Sequence, residues 1–194
     1  MRLVFASNNA HKLDEVRRIM PSDIEVLSLS DIGFEAEIEE TGTTLEENSA
    51  IKAEAVYQWI LDHRHCSLDG IFADDTGLEI DALGGKPGVY TARWAGEPAA
   101  NRKKALSELQ GKTDRGAQFR TVITLIKVNG ERLAVSGIVR GRIAEEEYGN
   151  GGFGYDPVFI PEGYDKTFGE LPAEIKNSIS HRARALQALV KVIG

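Results

Sequence analysis

Cysteine is almost absent from this sequence. Cys66 is the only one in 194 residues, so no intramolecular disulfide can form and the chain suits a reducing compartment. Long apolar runs are missing too. The opening Leu3-Val4-Phe5-Ala6 gives way to polar residues too soon for a secretory signal, and no stretch is long and apolar enough to span a membrane. A cytoplasmic protein without a membrane partner is expected. Basic charge is in the minority, with 23 Lys and Arg against 30 Asp and Glu and a net charge of −7. That balance argues against a nucleic-acid partner, which needs a basic footprint. It leaves room for a small phosphate ligand held by a few local cations and helix ends. Internal repeats, low-complexity linkers and a Walker A loop are absent as well, and residues 1–194 read as one domain.

What is present is an alternation of short apolar runs and amphipathic segments. Residues 3–6 predict a buried strand. Ser7-Asn8-Asn9 then offers N-cap side chains to a helix with Leu13, Val16 and Met20 on one face, stopped by Pro21. Residues 24–28 predict a second strand, and residues 31–43 an acidic, irregular segment. Thr44 with Glu47 makes a capping-box pattern for a helix carrying Ala50, Ala53, Tyr57 and Ile60, with Asn48 and Lys52 one turn apart on its opposite stripe. Ile71-Phe72-Ala73 predicts a buried strand ending at Asp74-Asp75. Thr76-Gly77 predicts a turn, and Leu78, Ile80 and Ala82 a half-buried strand. Residues 84–88 read as a loop and 98–110 as a helix capped by Gly111. Residues 117–128 and 133–143 form a hairpin about Asn129-Gly130. A glycine-rich stretch at 149–155 precedes a last strand at 157–160 and a C-terminal helix marked by Ile179, Ala183, Leu186, Leu189 and Val190. The fold class is α/β, a mixed central sheet flanked by helices.

Four segments carry candidate chemistry. In Ser7-Asn8-Asn9-Ala10-His11-Lys12, a strand-to-helix turn exposes backbone N–H groups at a positive helix end. Lys12 opposes the helix dipole there, which a bound anion would relieve; a plain Asn cap with a solvated Lys is the competing reading. Asp74 and Asp75 end a buried strand, where α/β sheets bind ligands, and a carboxylate pair there suits a hard cation such as Mg²⁺. Glu39-Glu40 is a second acidic pair that alone reads as a solvated loop. Residues 149–157 combine glycines, which allow close backbone approach, with Phe153 and Tyr155, which either stack on a base or plug the core. Lys176 and His181-Arg182 bracket the start of the last helix, with Ser178 or Ser180 as caps. His63, His65 and Cys66 match no zinc spacing and read as a helix end. Arg93 and Trp94 suit packing, a subunit contact or a phosphate contact equally.

Five stretches together resemble the inosine triphosphate pyrophosphatase family. They are residues 6–12, Glu39-Glu40-Thr41-Gly42 with Glu47-Asn48-Ser49-Ala50, Ala73-Asp74-Asp75-Thr76-Gly77-Leu78, Gly151-Gly152-Phe153-Gly154-Tyr155-Asp156-Pro157, and Ser180-His181-Arg182, in the family's order and over nearly the whole chain. The resemblance implies a two-lobed fold with the active-site cleft between the lobes. It also implies Mg²⁺-dependent hydrolysis of ITP, dITP and XTP to the monophosphate and pyrophosphate, usually by a homodimer. Ser7, Asn8, Asn9, Ala10, His11 and Lys12 would hold the triphosphate. Glu40 and Asp75 would hold the metal, with Asp75 also the proton acceptor and Thr76 a substrate contact. Phe153, Gly154, Tyr155, Asp156, Lys176, His181 and Arg182 would hold the nucleoside. Asn48 and Lys52 match polar positions near the family's site, and Lys52 is taken as a substrate contact. Asn8 stands where the family often has Gly. Rival readings are a Maf-like pyrophosphatase, from which the His181-Arg182 ending departs, and a non-catalytic nucleotide sensor, for which the carboxylates are superfluous. An RNA-binding or structural protein is opposed by the charge.

Overall fold

The computed structural model describes residues 1–63 and 67–194. Strand β1 (Arg2–Phe5) leads into helix α1 (Ala10–Ile19), and β2 (Glu25–Leu27) precedes α2 (Leu45–His63). Then come β3 (Gly70–Ile80), the short β4 (Lys86–Gly88) and α3 (Pro98–Glu108). β5 (Gly116–Lys127) and β6 (Arg132–Ile143) are joined at Asn129-Gly130, and β7 (Phe159–Pro161), α4 (Ala173–Ile179) and α5 (His181–Ile193) complete the chain. Strand order is β2-β1-β3-β5-β6-β7, with β4 also paired to β3. Parallel and antiparallel pairs coexist, which is the mixed sheet expected.

The chain divides into two compact units, and β3, β5 and β6 contribute to both. The first unit comprises Met1–Asp75, Thr121–Gly137 and Ala185–Gly194. β1 lies between β2 and β3, parallel to each, with Leu3 opposite both Val26 and Gly70. Parallel strands covered on both faces read as continuous apolar runs, and residues 3–6 are all buried. Val4 and Ala6 join Val56, Ile60 and Ile71 on the α2 side. Leu3 and Phe5 join Val16, Leu186 and Leu189 of α1 and α5 on the other. The rings of Phe5 and Phe72 stack at 5.0 Å there.

The second unit comprises Thr76–Arg120 and Ile138–Arg184. β4 runs antiparallel to β3, with Leu78 opposite Gly88, and β7 antiparallel to β6, with Gly141 opposite Pro161. Its core gathers Leu78, Ile80, Phe119, Phe159 and Phe168 under Ala105 and Leu109 of the α3 segment.

Local expectations fail at four places. Thr76-Gly77 does not turn: β3 continues through it to Ile80. The strand has β1 on one side and β5 on the other, and ladder pairing along it outweighs the turn preference of one dipeptide. The strand expected to reach Ala82 stops at Ile80 in a 3₁₀ turn at Asp81–Leu83, and Lys86–Gly88 of the expected loop adds as β4. Residues 156–158 form a 3₁₀ turn, so the last strand begins only at Phe159. The C-terminal helix is two helices, broken at Ser180, whose extended backbone ends α4 and whose Oγ accepts the Ala183 N–H at 3.2 Å. Of the two caps considered, Ser180 is the one that starts α5; Ser178 donates to the Ile175 carbonyl instead.

Candidate active site

In the first unit, the Ala6 N–H donates to the Phe72 carbonyl at 2.8 Å, and the chain then leaves the sheet. Asn9 caps α1, its Oδ1 accepting the Lys12 N–H at 3.2 Å, while its own N–H donates to Ser7 Oγ. Ser7 is half-buried and residues 8–11 are exposed, so the positive end of α1 is accessible at the carboxyl end of β1. Lys12 turns out to have a protein anion of its own. Its Nζ donates to Asp74 Oδ1 at 2.9 Å, and the Asp74 side chain is only 1% exposed. This pair explains how a cation is tolerated in the first helical turn.

Asp75 lies next to that pair on β3. Its Oδ1 is 3.6 Å from Lys52 Nζ, which also contacts Glu40 Oε1 at 3.2 Å. Its Oδ2 accepts an N–H from Asn48 Nδ2 at 3.2 Å. Burial pushes the Asp75 carboxyl above the usual carboxylate range; Lys52 and Lys12 pull it back down, and Glu40 and Asp74 push it up again. Glu39 is exposed, whereas Glu40 is half-buried against Lys52, so the acidic pair splits into one solvated and one engaged side chain. The carboxylates of Glu40, Asp74 and Asp75 thus lie with the ammonium groups of Lys12 and Lys52.

The donor set fits a hard cation. Glu40 and Asp75 converge on one ammonium group, so a single positive centre is already shared between them. Mg²⁺ takes one or two carboxylates with waters and phosphates rather than a full protein cage. Among the described residues no three His, Cys, Asp or Glu side chains form such a cage.

The second unit gathers the remaining candidates. Asp156 Oδ2 accepts both the Phe153 N–H at 2.7 Å and the Lys176 ammonium at 2.6 Å. Lys176 lies 4.8 Å and the Arg182 guanidinium 5.7 Å from the Phe153 ring centroid. Arg182 is buried almost completely, and its Nη2 donates weakly to Thr76 Oγ1 at 3.4 Å. His181 is also buried, its ring stacked on Phe119 at 4.6 Å. Gly152 has φ +69°, and a Cβ there would fall 1.9 Å from Asp156 Oδ2. Only glycine lets the loop close onto that carboxylate. The two aromatics part company. Tyr155 plugs the core, its OH donating to the Thr91 carbonyl at 3.1 Å and burial pushing its pKa far above the usual value. Phe153 stays half-buried among the cations. Gly154, with φ +61°, separates them, and Arg102 of α3 donates to its carbonyl at 2.9 Å.

Of the other candidates, His63 and Trp94 pack against neighbouring side chains. His63 stacks on Trp59 at 4.1 Å, in keeping with a helix end; His65 and Cys66 lie outside the described residues. Trp94 packs on the core of the second unit beneath Lys104, and Arg93 lies over the exposed Tyr90. Arg102 was not singled out from sequence. Its partner Gly154 is 52 residues away, and no local pattern encodes that pairing.

Comparison with known proteins shows the family. The Ham1 family model matches residues 3–192. A dITP/XTP pyrophosphatase of Flavobacterium johnsoniae is 48% identical over 196 aligned positions, covering 100% of this chain and 98% of the relative. The Staphylococcus aureus Ham1 protein superposes with a TM-score of 0.86 at 40% identity, over 100% of this chain and 98% of that one. A HAM1 protein from Coxiella burnetii gives a TM-score of 0.86 at 36% identity, with 100% and 98% coverage. The resemblance carried by the five motifs is thereby borne out over the full length, and the chain belongs to the Ham1 family.

Proposed function

We propose that this chain hydrolyses noncanonical purine nucleoside triphosphates, ITP, dITP and XTP, to the monophosphate and pyrophosphate. The observation that carries the reading is the full-length match to dITP/XTP pyrophosphatases, with acidic and basic clusters in the two units at the motif positions. Residues 7–12 take the triphosphate at the α1 N-terminus, and Glu40 and Asp75 hold Mg²⁺. When bound, Mg²⁺ supplies Lewis-acid activation and neutralises phosphate charge. Asp75 takes the proton of the water whose oxygen bonds to the α-phosphorus, while the bond from that phosphorus to the bridging oxygen breaks. Lys12, with the N–H groups of α1, takes up the charge on departing pyrophosphate, and Lys52 keeps the two carboxylates together until substrate and metal arrive.

The nucleoside falls to the second unit. Phe153 offers a ring face, and Lys176 and Arg182 offer donors that suit the C6 oxygen of hypoxanthine or xanthine and oppose the amino group of adenine. Thr76 holds Arg182 and contacts substrate, and Gly154, Tyr155 and Asp156 contribute backbone and loop shape. The whole chain acts as one catalytic domain, a reading supported by the family match over residues 3–192. A homodimer in the cytoplasm completes the reading, on the family resemblance and the near absence of cysteine.

Product analysis with ITP, XTP, GTP and ATP, each with Mg²⁺ and with EDTA, tests it. IMP and XMP with pyrophosphate are expected, dependent on metal and weak for ATP and GTP. Diphosphate products with orthophosphate would overturn attack at the α-phosphorus. Sedimentation velocity tests the dimer separately.

A further inference from the structure

The two proposed metal carboxylates come from unlike places. Asp75 is on the central strand β3, while Glu40 is on the irregular segment before α2. Something must set the gap between them. Asn48, in the first turn of α2 and 0% exposed, touches both sides. Its Oδ1 accepts the N–H of Gly42, two residues after Glu40, at 2.8 Å. Its Nδ2 donates to Asp75 Oδ2 at 3.2 Å. The Gly42 N–H can only donate, so it claims the amide oxygen and turns the nitrogen toward Asp75. No flipped amide satisfies both neighbours. Gly42 is equally constrained: a Cβ there would lie 2.6 Å from Asn48 Oδ1 and 2.7 Å from Glu47 Cβ. Lys52, one turn further along α2, contacts Glu40 Oε1 and the Asp75 oxygen that Asn48 does not touch.

From this we infer that Asn48 is a positioning residue that sets the spacing and orientation of Glu40 and Asp75 for the cation. It touches neither phosphate nor base in this role, and it acts through the Gly42 backbone and the Asp75 carboxylate. The inference rests on the reading of those carboxylates as the metal site. Outer partners that orient metal ligands typically change metal affinity or activity by about 10–100-fold when removed, and that range is expected here.

The test uses Mn²⁺ alone, titrated into nucleotide-free protein and followed by the loss of the free-ion EPR signal. Asn48→Leu keeps the side-chain volume and removes both hydrogen bonds; Asn48→Ala also leaves a cavity. Ser49→Ala is the control: it breaks a buried hydroxyl pair with Thr124 at 2.7 Å in the same helical turn and touches neither carboxylate. In a folded protein, checked by circular dichroism, Asn48→Leu is expected to weaken Mn²⁺ binding and lower kcat, each by about 10–100-fold. KM for ITP at saturating Mg²⁺ is expected to stay within about twofold, and Ser49→Ala to bind Mn²⁺ as the wild type does. Wild-type Mn²⁺ affinity in Asn48→Leu overturns the inference and leaves the metal site standing. An equal loss in Ser49→Ala also overturns it, because general loosening of α2 would then suffice. Failure of the wild type itself to bind Mn²⁺ overturns the metal site and the inference together.

Discussion

The two units build their functional ends with opposite charge. In the first, Glu40, Asp74 and Asp75 surround Lys12 and Lys52. In the second, Lys176 and Arg182 lie around Phe153, with Asp156 tying Lys176 to the loop. Yet both place a cation in the first turn of a helix, Lys12 in α1 and Arg182 in α5, where the dipole disfavours it. The difference lies in what the cations serve. Lys12 is held by a buried carboxylate and, on the proposed function, would meet phosphate oxygens at the helix end. Lys176, held by Asp156, and Arg182 are buried beside an aromatic ring, where on the proposed function their donors would distinguish a carbonyl from an amino group. On the proposed function, the first set of residues would serve the chemistry and the second the choice of base.

The sharpest way to break that division is a pair of substitutions read on kcat and KM. Asp75→Asn removes the proposed base, and kcat should fall by about 10²–10⁴-fold with KM for ITP little changed. A fall in KM-limited binding with kcat preserved would hand the chemistry to another group. The same variant has a stability signature. Because burial raises the pKa of Asp75 in the folded state, its ionised form opposes folding at neutral pH, and that penalty disappears below the unfolded-state value of about 3.9. In EDTA at pH 7, Asp75→Asn should melt above the wild type, and the gap should close as pH falls through the carboxylate range. A lower melting temperature at neutral pH would mean that contacts with Lys52 and Asn48 outweigh the burial.

The second unit should answer the reverse way. Lys176→Met leaves Asp156 buried without its ammonium partner and should cost about 3–5 kcal/mol of stability; Lys176→Met with Asp156→Asn should recover most of it. In that stable double variant, a lost charged hydrogen bond of about 1.5–3 kcal/mol should erode the preference for ITP over ATP roughly 10–100-fold, chiefly through KM. Retained selectivity would move base recognition away from Lys176.

Much of this was legible along the chain because it is local. Residues 3–6 as a buried strand, Asn9 as a cap, Thr44 and Glu47 at the start of α2, and Asn129-Gly130 as a hairpin turn each depend on neighbours within a few residues, and the structure has them all. Residues that meet only after folding were not legible. Nothing near Lys12 announces Asp74, 62 residues away, nor near Lys52 the shared contact with Glu40 and Asp75. Thr76-Gly77 misled for the same reason: its dihedrals are set by neighbouring strands. The carboxylates were recognisable as a type of site, but the long-range pairs that hold them were not.

The smallest expected effect concerns how the acidic end is held. Glu47 Oε2 accepts the Thr43 N–H at 2.6 Å and the Thr43 hydroxyl at 2.9 Å, while Thr44 Oγ1 accepts the Glu47 N–H. The box thus closes one residue earlier than the usual reciprocal pattern, and it pins the segment that carries Glu40. Those bonds from Thr43 hold the exposed Glu47 carboxyl below the usual range. A lowered folded-state pKa contributes stability that is present above the unfolded value, about 4.3, and is lost as pH falls through the folded one. Glu47→Gln keeps one acceptor and loses the charge, so it should melt slightly below the wild type at pH 7 and converge with it as pH falls through the carboxylate range, with kcat barely altered. Convergence would place Glu47 in the frame that supports the acidic end rather than in its chemistry. A gap that persisted to pH 3 would instead show that the bonds hold without the charge, and the electrostatic contrast between the two units would then begin only at Glu40.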